Sequence, residues 1–251
     1  MQFTAVIPSR IESTRLPSKP LLDIAGKTLI QRVYEGIKDS KKLSQILIAT
    51  DSEEIIEHTK SYGAKSILTP SELPSGTDRI WAALQIENIK SDVIINIQGD
   101  EPFITANLID DFCNFLEQNQ DFQVGTIIKK INQFDELISP SVVKVVINKN
   151  SKALYFSRNP IPYIRDYPME KWIEISNFYK HIGIYAYKYD ILKRFIDLPQ
   201  SNLEKLEKLE QLRLLEDGIK YLCYETTEEL FSIDTESDLQ EARRRFSKYY
   251  N

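Results

Sequence analysis

Short apolar runs and helical stripes alternate along the first half of the chain. Residues 3–7 are almost wholly apolar and stop at Pro8-Ser9-Arg10, which predicts a buried strand. Leu29, Ile30, Val33 and Ile37 then recur at helical spacing after Gly26. Residues 46–49 predict a second strand, and 53–60 a short helix closed by Tyr62-Gly63, whose glycine suits a left-handed cap. A third strand is expected at 65–68, a helix at 78–88, and a fourth strand at 93–97, apolar enough to be covered on both faces. Leu108, Ile109, Phe112, Phe115 and Leu116 add another amphipathic stripe. Strand–helix alternation of this kind predicts an α/β fold with a largely parallel sheet and helices on both sides.

Beyond about residue 120 the pattern changes. Residues 124–128, 142–147 and 182–187 read as strands with little helix between them, either antiparallel additions to the same sheet or a dimer-facing lobe. A short strand is also expected at 230–233. Leu203, Leu206, Leu209, Leu212 and Leu215 predict one helix with an apolar face, too short for a coiled coil. No linker or internal repeat divides the chain, which reads as a single domain, 1–251, with one half at 1–120 and another at 121–251.

The chain has 251 residues, 42% hydrophobic and 27% charged, with a net charge of −5, which excludes disorder and argues against a dedicated nucleic-acid binder. The first apolar run is too short for a signal peptide or a membrane span. Two cysteines, Cys113 and Cys223, cannot build a disulfide framework or a four-cysteine zinc site, so a reducing cytoplasm is the expected setting. Cys113 lies on an apolar helical face and reads as core. No G-x-G-x-x-G, P-loop or G-x-S-x-G motif exists, and the two histidines, His58 and His181, are too far apart for a zincin.

Chemistry concentrates where strands end. Directly after the first strand come Arg10, Arg15 and Lys19 with a single acid, Glu12, in an otherwise acidic protein. Ser13 and Thr14 add hydroxyls, and prolines stiffen the segment. Ligands of parallel α/β sheets bind at the carboxyl ends of strands, and arginine forks with a lysine point charge suit phosphate oxygens. The fourth strand ends in Gln98-Gly99-Asp100-Glu101-Pro102. There Asp100 suits a hard cation such as Mg²⁺, or else caps a turn. Asp234, after residues 230–233, is either a second metal ligand or the cap of the final helix. Ser75-Gly76-Thr77-Asp78-Arg79 either approaches a nucleotide through its glycine or forms a plain turn and N-cap.

These segments resemble the CMP-Kdo synthetases, the 3-deoxy-manno-octulosonate cytidylyltransferases. The likeness runs through Arg10, Ser13-Thr14-Arg15-Leu16-Pro17 and Lys19-Pro20-Leu21, then Ala49-Thr50-Asp51, Ser75–Arg79 and Gln98–Pro102. It continues through Val143-Lys144-Val145-Val146, Ala153–Arg158, Pro160–Tyr163, His181–Tyr185 and Leu209–Arg213. Ser18 departs from the pattern, since many members carry glycine there. The resemblance implies a Rossmann-like nucleotide-diphospho-sugar transferase fold, with a nucleotide-binding first half and a sugar-binding, dimer-forming second half. It implies CTP and the eight-carbon acid sugar Kdo as substrates, CMP-Kdo and pyrophosphate as products, and a homodimer serving lipopolysaccharide synthesis. No nucleic acid or membrane partner is expected.

On this reading Arg10, Arg15, Lys19 and Asp100 are catalytic. Pro8, Arg10, Ser13, Arg15, Lys19, Ser75, Gly76, Arg79 and Gln98 bind the nucleotide. Asp100 and Asp234 hold Mg²⁺. By resemblance, Arg158 and Arg165 take the sugar carboxylate, and Gln98, His181, Tyr185, Glu210 and Gln211 its hydroxyls. Without the family, Arg158 could be an ordinary strand-end arginine and His181 a satisfied core histidine. The alternatives are the same reaction on 8-amino-Kdo or another acid sugar, or a non-catalytic nucleotide-binding regulator.

Overall fold

The computed structural model describes residues 1–12 and 16–249, and the side chains as far as residue 247. The chain forms two compact units, one of residues 1–114 with 228–251, the other of residues 115–227. The division falls near the expected change of pattern, but the final helix, Glu236–Tyr249, returns to the first unit.

In the first unit, strands β1 (Phe3–Ser9), β4 (Leu43–Thr50), β5 (Lys65–Leu68) and β6 (Val93–Asn96) pair in the order β6–β1–β4–β5, all parallel. A small hairpin of β2 (Asp23–Ile24) and β3 (Lys27–Thr28) precedes the helix Leu29–Ile37. Phe3, Ala5, Val6 and Ile7 of β1 and Ile94 and Ile95 of β6 are fully buried, as continuous apolar runs require. Each following helix starts on a side-chain cap: Thr28 accepts from Gln31 N, Ser52 from Ile55 N and Ser75 from Asp78 N. Because the strands are parallel, the loops leaving β1, β4, β5 and β6 share one edge.

The second unit is mixed. Strands β7 (Val124–Lys130) and β10 (Tyr179–Lys188) are antiparallel. Strand β11 (Tyr221–Thr226) lies parallel to β7. Strand β8 (Lys144–Ile147) pairs antiparallel with β10 and with β9 (Ala153–Ser157). The parallel β11 is missing from the sequence-based prediction.

Two sequence-based expectations need correction. The leucine-rich segment is two helices, Asn202–Glu207 and Gln211–Glu216, separated by Lys208 in a left-handed conformation with φ of 54°. Leucines spaced by three drift about 60° per step around a helix of 3.6 residues per turn, so five cannot share one face. Leu206 is accordingly 71% exposed. Residues 230–233 join no sheet; Ile233 N instead donates to the carbonyl of Asp100 at 3.0 Å. Both cysteines are buried.

Candidate active site

Pro8 sets the entrance of the basic loop. A Cβ at Gly76 would lie 3.3 Å from Pro8 Cγ, and one at Gly99 would lie 3.0 Å from the Pro8 carbonyl oxygen. A side chain at either position would press tightly on Pro8 at the end of β1. Past Pro8, Ile11 N donates to Asp51 Oδ1 at 3.1 Å, which fastens the loop to the end of β4.

Asp51 is held in turn by Arg79, whose side chain is fully buried. Its NH2 group donates to Asp51 Oδ2 at 2.9 Å, and NH1 to Thr69 Oγ1 at 2.6 Å and to the Pro70 carbonyl at 3.3 Å. Burial, reinforced by repulsion from Arg10, lowers the Arg79 pKa, and Asp51 opposes that shift. Arg79 thus braces the loop through Asp51, while Arg10 is exposed. Ser75 is occupied as the helix cap, and its hydroxyl also donates to Asp78 Oδ2 at 2.6 Å. Ser13 and Arg15 lie outside the described residues.

Lys19 is the centre of this unit. It follows Ser18, whose φ of 49° is the left-handed conformation that glycine adopts without strain. Lys19 Nζ lies 2.8 Å from Asp100 Oδ2 and 3.3 Å from Asp234 Oδ1, so two carboxylates from distant parts of the chain meet on one ammonium. Asp100 stands at the turn after β6. Asp234 is fixed by the Ile233–Asp100 backbone bond and by Asp238, whose carboxylate accepts from the Asp234 and Thr235 amides at 3.0 and 2.8 Å. The final helix is anchored by Phe246, which stacks on Phe103 at 4.5 Å and lies under the Arg32 guanidinium. Glu101, beside this pair, is buried; desolvation, with Asp100 adding to it, pushes its carboxyl up to about 8. Gln98 Nε2 donates to Asn96 Oδ1 at 3.2 Å.

The fit to a metal rests on that convergence. Two carboxylates already face one cation, the Lys19 ammonium, and they are hard oxygen donors of the kind Mg²⁺ accepts alongside phosphate oxygens and water. Among the described residues no group of three His, Cys, Asp or Glu side chains is placed to hold a metal ion unaided.

The second unit gathers a separate set. Tyr185 OH donates to Gln211 Oε1 at 3.1 Å, and the His181 ring lies 5.2 Å from that of Tyr185. Glu210 stands at the start of the helix Gln211–Glu216 and, after burial, is the charge that raises the Tyr185 pKa. The Arg158 fork grips main chain: Nε donates to the Glu207 carbonyl at 2.7 Å, NH1 to that of Pro140 at 2.9 Å and NH2 to that of Lys208 at 3.3 Å. Buried Lys144 binds the carbonyls of Ser139 and Val142 in the same turn. Arg165 is not drawn in; its side chain is 89% exposed and, among the described residues, pairs with its neighbour Asp166 at 3.5 Å.

Sequence reasoning gives no role to Asp51 or Thr126. Asp51 is quoted within a strand-end motif, and Thr126 is a lone hydroxyl inside the apolar run 124–128.

Burial pushes His181 down to about 3, far below the ordinary histidine value. Well above pH 6.5 the ring is neutral folded or unfolded, so it contributes no pH dependence there. Below about pH 6.5 the unfolded chain takes up a proton that the folded one refuses, and stability falls by up to about 1.4 kcal/mol per pH unit. Urea midpoints at pH 7 and pH 5 should show His181→Gln losing about 2 kcal/mol less than wild type over that interval. Equal losses would contradict a ring that stays neutral in the folded protein.

The cytidylyltransferase family profile matches residues 4–227. A 3-deoxy-manno-octulosonate cytidylyltransferase of Thermodesulfovibrio yellowstonii is 44% identical over 99% of this chain and 100% of its own length. One of Francisella tularensis subsp. novicida is 44% identical over 96% of this chain and 97% of its own. Among solved structures, CMP:2-keto-3-deoxy-manno-octonic acid synthetase complexed with CTP superposes with a TM-score of 0.91 at 37% identity, covering 99% of this chain and 100% of that one. A cytidylyltransferase of Leptospira borgpetersenii, 18% identical with a TM-score of 0.66 over 100% of this chain and 89% of its own, shares the fold.

Proposed function

The chain belongs to the cytidylyltransferase family, and from that premise we propose that it joins CTP and Kdo into CMP-Kdo with release of pyrophosphate. The carrying observation is the meeting of Lys19, Asp100 and Asp234 at the strand-end edge that also presents the basic loop. Transfer of a nucleotidyl group demands positioning and charge neutralisation more than covalent help from the protein.

Lys19 and Arg10, with Arg15, hold the triphosphate and neutralise charge on the departing pyrophosphate. The sugar C2 hydroxyl attacks the α-phosphorus: the new O–P bond forms as the bond to the β-phosphate oxygen breaks, and the hydroxyl proton is released. Asp100 and Asp234 are the residues that would hold Mg²⁺, which when bound would lower the pKa of that hydroxyl. Gly76 and Gly99 let the backbone come close to Pro8, and Arg79 keeps the loop braced through Asp51. For the sugar, Gln98, His181, Tyr185, Glu210 and Gln211 supply hydrogen bonds, and Arg158 and Arg165 supply charge for the carboxylate. The same family reading carries a homodimer, a cytoplasmic setting and a role in lipopolysaccharide synthesis; no helix among the described residues is long and apolar enough to cross a membrane.

Pyrophosphate release from the purified protein with CTP, Mg²⁺ and Kdo tests this directly, beside ATP, GTP and UTP and beside 8-amino-Kdo. Release confined to CTP with Kdo is the expected result. Turnover of the amino sugar alone would keep the chemistry and replace the substrate, and no release with any pair would leave the regulator reading.

A further inference from the structure

The antiparallel ladder of β7 and β10 is interrupted beside His181. Ile182 stands opposite Ile127 and Tyr185 opposite Thr126, so Gly183 and Ile184 have no register partner on β7. Such bulges re-aim backbone and side chains, and they concentrate next to active sites.

Thr126, fully buried, faces the gap. Its Oγ1 lies 2.9 Å from the Ile184 carbonyl oxygen, 3.5 Å from that of Ile182 and 2.9 Å from His181 Nε2. A carbonyl oxygen only accepts, so the single hydroxyl proton of Thr126 is directed to Ile184. What Thr126 offers His181 is then an oxygen lone pair, and a bond at 2.9 Å requires the hydrogen to sit on Nε2. A neutral imidazole carries one ring hydrogen, which leaves Nδ1 as an acceptor. The ring is neutral near pH 7 because burial pushes its pKa down to about 3. Phe156 and Tyr185 flank it, with ring centroids 5.1 and 5.2 Å away.

We propose that Thr126 is a positioning residue that fixes His181 as the Nε2–H tautomer, so that His181 reads its ligand through Nδ1 as a hydrogen-bond acceptor for a sugar hydroxyl. The second half rests on His181 being a sugar contact, as set out above. Thr126 touches no substrate in this scheme. It decides the direction of the hydrogen bond that His181 makes, and thereby favours a ligand that donates at that point over one that can only accept.

The test uses the full-length protein labelled with ¹⁵N-histidine and two-bond ¹H–¹⁵N correlation near pH 7.5. Only two histidines contribute, and His58→Gln removes one pattern and identifies the other. Wild-type His181 should show a protonated Nε2 and a bare Nδ1. Thr126→Val keeps the branched shape but withdraws the acceptor. It should move the ring toward the other tautomer and raise the KM for Kdo about tenfold, the cost of about one hydrogen bond, with less than a twofold change in the KM for CTP. Thr126→Ser should restore both readouts. A protonated Nδ1 in the wild type, or an unchanged ring pattern in a folded Thr126→Val, overturns the proposal. The wild-type spectrum decides the tautomer even if the valine variant fails to fold. An enzyme that turns over Kdo yet shows Nδ1–H refutes this inference alone. The expected tautomer in a protein that turns over no Kdo refutes the sugar reading, and with it the ligand half.

Discussion

Lys19→Ala is expected to lower turnover of CTP and Kdo on the order of a thousandfold while the protein stays folded, the scale seen when one preorganised charge-stabilising donor is removed. The argument for the fold is exposure. Lys19 pairs with Asp100 and Asp234, whose side chains are 29% and 44% exposed, so water solvates both carboxylates once the ammonium is gone. Pairs of that kind contribute about 1 kcal/mol or less. The argument for activity is position, because no other described cation makes hydrogen bonds to both aspartates. A second readout needs no substrate. If Asp100 and Asp234 are the Mg²⁺ ligands proposed above, the ion competes with the ammonium in wild type, so Mg²⁺ alone should raise the Tm of Lys19→Ala more than that of wild type. Near-normal turnover in the variant would remove Lys19 from the chemistry. Equal Mg²⁺ shifts would remove the shared cation site.

Arg79→Met should act the other way round, through stability first. The guanidinium is fully buried and its pair with Asp51 is nearly so, and breaking one side of a buried pair leaves a charge with nothing to compensate it, a loss of about 3–5 kcal/mol. For a chain of this size that corresponds to a Tm lower by roughly 6–20 °C. Adding Asp51→Asn should recover part of the loss, since the stranded charge is then gone. If Arg79 served the nucleotide alone, Tm would hold and only the KM for CTP would rise; that result would end the bracing role.

The strand ends were the legible part of this molecule, for a local reason. Runs such as Phe3–Ile7 and Val93–Ile97 are apolar on both faces and break at prolines, glycines and charges, so a strand and its outgoing loop are written in neighbouring residues. Arg10, Lys19 and Asp100 could be read as site candidates because they sit on those loops. What could not be read depends on distant partners. Strand β11 exists because it pairs with β7, about a hundred residues earlier, and parallel pairing leaves no hairpin signal between them. Arg79 was legible as a charged residue near the loop, but its commitment to Asp51 and Thr69 is a tertiary contact without a local mark. Thr126 was hidden for the same reason: a threonine in a strand is ordinary until a bulge on the neighbouring strand turns two carbonyls toward it. The leucine-rich segment misled by composition, since its spacing of three suits no α-helical face beyond two turns.

The two buried sulfurs bear on how the protein meets oxidative stress. The thiolate is the form that peroxide and disulfides attack, and burial pushes Cys223 up to about 12 while Cys113 is sealed against solvent altogether. Cys223 stands in register with Thr126 on the neighbouring strand β7. Oxidants that silence enzymes with exposed, acidic thiols therefore find little handle on these two.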